Sequence, residues 1–218
     1  MKENIVDIMN MWLDGRLDDL HTIIPGEIVE YSGHKERKAK VQPLIKIRTS
    51  LNKVVQIDPI ENVPVMFPSS SSFNMLYPLK KGDGVLLVFS ESSIGNFLSQ
   101  GGIQEADDAN RFDLTDCIAI PGLYSFKKVP DIKADDAGFI LQFQDTKIII
   151  EDKTNNFIIE DKNGNVITVD SSGILLEDLT GNTVTLSSSG IELEDVTGNT
   201  VTMTGISTVI NGNLEVLQ

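Results

Sequence analysis

Three acidic pairs recur in the last third of this 218-residue chain, Glu160-Asp161, Glu177-Asp178 and Glu194-Asp195, each 17 residues from the next. Carboxylate pairs are the working groups of glycosidases, one donating a proton while the other acts as base or nucleophile. Asp, Asn and Gly clustered at turns also supply the hard oxygen donors that hold calcium. Either chemistry needs one unique arrangement, whereas these pairs repeat at every rung and neighbours along a strand point to opposite faces. They read as a surface pattern. The nine-residue glycine-aspartate pattern of calcium β-rolls is absent, so no catalytic residue, metal ligand or cofactor is assigned.

The other reactive side chains are few. Cys117 is the single cysteine, set in "DCIAI", where a small buried apolar residue fits and no intrachain disulfide can form. The serines of "PSSSSF", Pro68 to Phe73, have no histidine nearby to act as a base. A formal charge of -14 disfavours nucleic acid and anionic membrane as partners, since both are negative. The opening "MKENIVDIMNMWLDG" is interrupted by charge, so no secretory signal is expected, and no stretch reaches the ~20 apolar residues of a membrane span. Synthesis and retention in a cytosol are expected.

The acidic pairs sit in units that also repeat Gly164-Asn165, Gly181-Asn182 and Gly198-Asn199. Within each unit apolar and polar residues alternate, which predicts two short strands per repeat. Ile167, Val169, Ile174, Leu176, Val184, Leu186, Ile191, Leu193, Val201 and Met203 fall on one face, with Thr183, Thr185, Glu192 and Thr202 on the other. Glycine first in the Gly-Asn pair suits a type II′ hairpin turn, and "DSSG" or "SSSG" makes the return. A meandering ribbon of this kind leaves its apolar face wet, and 17 residues spent on two strands and two turns leave no third side to wrap a core. Three copies around a threefold axis solve this by supplying one wall each. The expectation is a homotrimeric shaft whose core is the ten apolar residues just named.

Upstream, Val6, Met9, Leu13, Leu17 and Leu20 fall three or four apart, predicting an amphipathic helix of about five turns that Pro25 and Gly26 stop. That stripe packs on its own domain or docks a partner. From Glu27 to Leu123 short apolar runs bounded by turns, "EIVEYSG", "KVQPLIKIRTS", "KVVQI", "VPVMF", "GVLLVFS" and "CIAI", mark a small all-β barrel or sandwich. The fold class is mainly β: helix at 1–24, barrel at 25–130, and repeat shaft with tip at 131–218, the repeats spanning about 157–206.

Several blocks in order carry a resemblance. "VQPLI" at Val41, "VPVMFP" at Val63, "PLKKGDGVLLVFSESSIGNFLSQGG" and "RFDLTDCIAIPGL" resemble the N-terminal module of the membrane-piercing central spikes of contractile-tailed phages, over about residues 1–125. The resemblance implies an oligonucleotide/oligosaccharide-binding (OB) barrel used as a structural adaptor, then an intertwined trimeric β-helix or β-prism needle. It also implies a virion protein of the tail baseplate, assembled in the host cytoplasm, with a hub protein on its N-terminal side. The function implied is mechanical: sheath contraction drives the spike through the host outer membrane, and no enzyme is expected. Many such spikes hold iron at an apex of His-X-His pairs, but here His21 and His34 both lie far upstream. With Val209, Leu214, Val216 and Leu217 near the end, a separately encoded tip protein is expected to cap the shaft. The alternative is a trimeric β-helical tail protein that binds or hydrolyses surface polysaccharide; an adhesin is the third class, against which the N-terminal resemblance argues.

Overall fold

In the computed structural model, residues 4–18, 20–48, 53–129, 137–205 and 207–211 are described. The chain is mainly β and forms two compact units, Met1–Pro130 and Asp131–Gln218.

The first unit begins with α1 (Ile5–Asp18), about four turns rather than five. Asn4 starts it, its side-chain oxygen accepting from Val6 N at 3.4 Å. The helix ends before Leu20, and Pro25 and Gly26 do not terminate it. Both lie within β1 (Ile23–Tyr31). Proline is tolerated there because pairing with β2 (Lys38–Pro43) starts one residue later, at Gly26↔Pro43. Gly26 is required where it stands, since a Cβ would come within 2.8 Å of Val41.

The run "PLIKIRTS" is not one strand. Its first residue closes β2, and Ile47–Arg48 form β3, paired with β4 (Val54–Val55) as a small outlying ribbon. The chain then returns through β5 (Ile60–Pro64) and β6 (Gly84–Phe89), makes a long excursion holding the short helix α2 (Gly95–Gln100), and closes with β7 (Cys117–Pro121). That second helix has no counterpart in the sequence reading. The main sheet is antiparallel in the order β5-β2-β1-β6-β7. Register shifts at Ile28/Glu30 and Ala39/Val41, with Asn62 at φ 56°, bend the strands as bulges do. The sheet curls until its outer strands meet: Val65 bridges Ala119 in parallel, and Met66 N donates to Ala119 O at 2.9 Å.

Alternate residues of each strand point inward. Ile28, Val41, Val63, Val85, Leu87, Cys117 and Ala119 are essentially sealed from solvent, with Phe67 and Phe89 closing the ends. The Cys117 side chain is part of this core, and burial pushes its thiol up to about 12.

The second unit is a meander of nine strands, β8 (Ala137–Phe143), β9 (Thr146–Glu151), β10 (Phe157–Glu160), β11 (Val166–Asp170), β12 (Gly173–Glu177), β13 (Thr183–Ser187), β14 (Gly190–Glu194), β15 (Thr200–Thr204) and β16 (Ser207–Asn211), each paired only with its chain neighbours. At ~4.8 Å per step the ribbon runs roughly 38 Å from first strand to last.

A thiol with so high a pKa and no solvent access should be inert. Native full-length protein is expected to leave Cys117 unlabelled by a thiol-reactive dye at pH 8, with one thiol per chain appearing only in denaturant; rapid native labelling would place Cys117 outside the core.

Candidate functional site

The register of the meander sorts the ten apolar repeat residues into two columns on one face. Ile167↔Leu176↔Val184↔Leu193↔Val201 form one, and Val169↔Ile174↔Leu186↔Ile191↔Met203 the other. Upstream strands extend both, through Ile159 and Ile148 in the first and Phe157 and Ile150 in the second. Between them, on the opposite face, run Thr168, Leu175, Thr185, Glu192 and Thr202. Among the described residues of this unit, this face stays open. Val169, Ile174, Leu176, Leu186, Ile191, Leu193 and Met203 are each 37–43% exposed, and Ile167, Val184 and Val201 are half-buried. Among the described residues, none in this unit is fully buried. A shallow trough of about 480 Å³ runs beside the first column, floored by Ile159, Ile167, Leu176 and Val184.

The Gly-Asn turns differ from the expected two-residue type II′. Each is a five-residue loop opened by the aspartate of the acidic pair: Asp161 N donates to Asn165 O at 3.0 Å, with Gly164 fourth at φ 91°. Gly181 and Gly198 take the same place at φ 92° and 85°. The aspartate is the staple. Asp178 Oδ1 accepts from Thr180 N, Thr180 Oγ1 and Asn182 N at 2.7–2.9 Å, while its Oδ2 accepts from Asn182 Nδ2 at 2.7 Å. Asp195 repeats the set with Thr197 and Asn199. The asparagine then ties one loop to the next: Asn165 Oδ1 accepts from Leu179 N at 3.0 Å and Asn182 Oδ1 from Val196 N at 3.1 Å. Asx-turn chemistry of this kind is legible in the pattern Asp-x-x-Gly-Asn, whereas the Gly-Asn pair alone points to a shorter turn.

The two-residue turns lie at the opposite edge, at Ser171-Ser172 and Ser188-Ser189, where Asp170 faces Gly173 and Ser187 faces Gly190. A Cβ on Gly173 would sit 1.9 Å from Leu186 O, and one on Gly190 2.0 Å from Met203 O. Glycine there lets adjacent strands close up.

These contacts decide what the acidic pairs can do. The Thr180 hydroxyl and Asn182 amide hold the Asp178 carboxyl far below the usual carboxylate range, and Thr197 and Asn199 do the same for Asp195. Asp161 is lowered by its bonds from Asn165, and Asp170 by the Ser172 hydroxyl. Asp178 and Asp195 are thus held ionised, as hydrogen-bond acceptors within their own loops. Of the glutamates, Glu160 meets Lys147 Nζ at 3.4 Å. Among the described residues no three His, Cys, Asp or Glu gather as a cation site, and no described helix is long and apolar enough to cross a membrane.

In α1, Val6, Met9 and Leu13 are exposed, as is Leu20 beyond it; Ile5, Ile8 and Trp12 widen the apolar face. The Leu17 side chain lies outside the described residues. Leu13, Leu20 and His21 line a groove with Ala109–Thr115, and the His21 ring lies 5.6 Å from that of Phe89. Val209 falls in β16 opposite Thr202, whereas Leu214, Val216 and Leu217 lie outside the described residues. The Pro68–Phe73 loop is exposed and closed by Ser70 N donating to Phe73 O at 2.7 Å.

The five-stranded sheet lies in a stretch that is similar to a known domain family. Residues 24–122 match the family model described as Phage protein Gp138 N-terminal domain. The match spans β1 to β7 and just under half of the chain, and it supports a phage structural protein and virion component. No curated protein matches the chain. The nine-stranded meander lies wholly beyond the matched residues.

Two consequences of the loop geometry are testable. Gly173→Ala forces a methyl against a carbonyl at a backbone angle that disfavours side chains, and is expected to destabilise the meander by about 1–3 kcal/mol in denaturant unfolding; an unchanged midpoint would mean the strands do not approach so closely. The stapling aspartates titrate lower folded than unfolded, so the stability they add is present above about pH 3.9 and is lost as the pH falls through the folded values. Melting temperature should therefore drop progressively below pH 4, and Asp178→Asn should shrink that drop while lowering stability at pH 7; an acid limb unaltered in the variant would place the sensitivity elsewhere.

Proposed function

We propose that this chain is a non-enzymatic, envelope-piercing spike at the centre of a contractile phage tail baseplate. The observation that carries the reading is the uncovered apolar face of the meander, two unbroken columns of branched and long side chains on a ribbon too thin to bury them. Three copies facing inward would give a prism of constant section, and one loop staple repeated along the chain suits such a shaft. Stiffness is then the function, because force from sheath contraction reaches a small area of membrane through it. Tripling the charge of -14 gives a strongly hydrated exterior that resists sticking to anionic lipid.

The first unit serves in this reading as an OB-type adaptor. A five-stranded, partly open barrel closed between β5 and β7 is compatible with that fold, and the fold alone implies no nucleic acid. A hub protein sits on the N-terminal side, against Val6, Met9 and Leu13. The alternative is a trimeric β-helical tail protein that binds or hydrolyses surface polysaccharide; acidic pairs repeated at every rung, with Asp178 and Asp195 bonded into their own loops, disfavour a single hydrolytic site.

Light scattering of the full-length chain is expected to give about three times 23.9 kDa. Leu176→Asp or Leu193→Asp would place like charges together in the core, so these variants should stay monomeric. Phage carrying either variant should still adsorb yet fail to deliver DNA. A stable wild-type monomer would sink the trimeric shaft, and loss of adsorption would favour an adhesin.

A further inference from the structure

Strands β6 and β7 are antiparallel neighbours that a tight hairpin could join, yet the chain between them runs from Ser90 to Asp116. Connections longer than about 12–15 residues are uncommon without a function. This one adds nothing to the fully buried core of its unit; only Leu114 packs against it. It is nevertheless well built. Ser90 N donates to Asp116 O at 2.8 Å and Phe112 N to Ser90 O at 3.1 Å, closing its base. Asp116 Oδ1 accepts from Ile94 N and Ser93 Oγ at 3.1 and 3.0 Å, and Asp107 accepts from Asn96 N at 2.9 Å at the start of α2. Gly95 makes room for that carboxylate, since a Cβ would lie 2.0 Å from it.

This scaffold presents apolar side chains outward. Phe97 and Leu98 of α2 are more than half exposed, and Ile103, placed by two glycines at φ 70° and 69°, is fully exposed. No residue of α2 is buried. Asp107 and the Glu105 backbone bond Asn96, next to Phe97, and the excursion as a whole has six acidic residues against one arginine, Arg111, which pairs with Glu91 at 2.8 Å. An apolar centre with a charged collar is the layout of a protein interface, and burying it requires a partner whose rim has the opposite sign. A second copy of this chain would bring the same acidic collar, and an anionic bilayer would also repel it.

We infer that the α2 excursion is a docking surface for a different protein, one offering an apolar pocket for Phe97 and Ile103 rimmed by lysine or arginine. The inference goes beyond the spike reading and rests only on its phage component. It is tested with the full-length chain carrying a photo-crosslinking residue in place of Ile103, expressed during infection, with adducts read in infected cells and in purified particles. An adduct to one other protein is expected, and Phe97→Ser or Glu105→Lys should reduce it at least about tenfold, with native melting retained. Adducts only to a second copy of the chain, only to lipid, or to nothing above a crosslinker placed at Lys80 would overturn the proposal. Absence of the chain from purified particles would count against the virion reading instead, and the adduct found in infected cells would still decide the docking surface.

Discussion

A single antiparallel sheet with one apolar face cannot bury that face against itself, and the second unit of this protein is such a sheet. Nine strands in sequential order give each strand hydrogen-bonded neighbours, yet backbone pairing does nothing for the side chains standing off the surface. Hydrophobic burial, the main favourable term in folding, is therefore deferred from the chain to whatever covers it. In the proposed trimer the covering is two further copies, which makes folding and assembly one event. Among the described residues the fully buried core belongs to the first unit, so the two units differ in kind: one carries its own core and the other holds an apolar face open.

Such a sheet must also hold its register, because a slip of one residue would move an apolar column to the opposite face. The loops do this with local bonds. Each aspartate fixes its own five-residue turn, and Asn165 and Asn182 reach the backbone of the next loop, so that hydrogen bonds link the three loops along one edge of the ribbon. At the other edge Gly173 and Gly190 admit the carbonyl of the following strand. The acidic pairs that suggested hydrolysis are thereby explained by geometry: the aspartate is a structural acceptor held ionised, and the glutamate beside it ends a strand.

The barrel obeys a different rule. Its strands alternate buried and exposed residues around one compact core, and bulges curl the sheet until β5 and β7 meet at Val65 and Ala119. Once that closure is made, the connection between β6 and β7 is not needed for the core and is free to carry α2 outward. The exposed face of α1 and the exposed face of α2 lie on this unit, which suits a domain that joins other proteins.

The sequence by itself determined the period. Alternation at two residues, the 17-residue spacing and the small residues at the turns fixed which side chains share a face, because side-chain direction in a strand depends only on position along it. Both apolar columns, the alternation of the barrel strands and the burial of Cys117 were legible for that reason. What only the tertiary structure decided were matters set by distant partners or by competition between neighbours. Pro25 and Gly26, which look like a helix stop, entered β1 because β2 begins pairing just after Pro25 and because Val41 and Leu87 crowd the Cβ site of Gly26. The Gly-Asn pair became the end of a five-residue loop because the aspartate three residues before each glycine offered more hydrogen bonds than a two-residue turn could. The short helix α2 depends on Asp107 and Asp116, carboxylates from residues far along the chain, and no local period announces it.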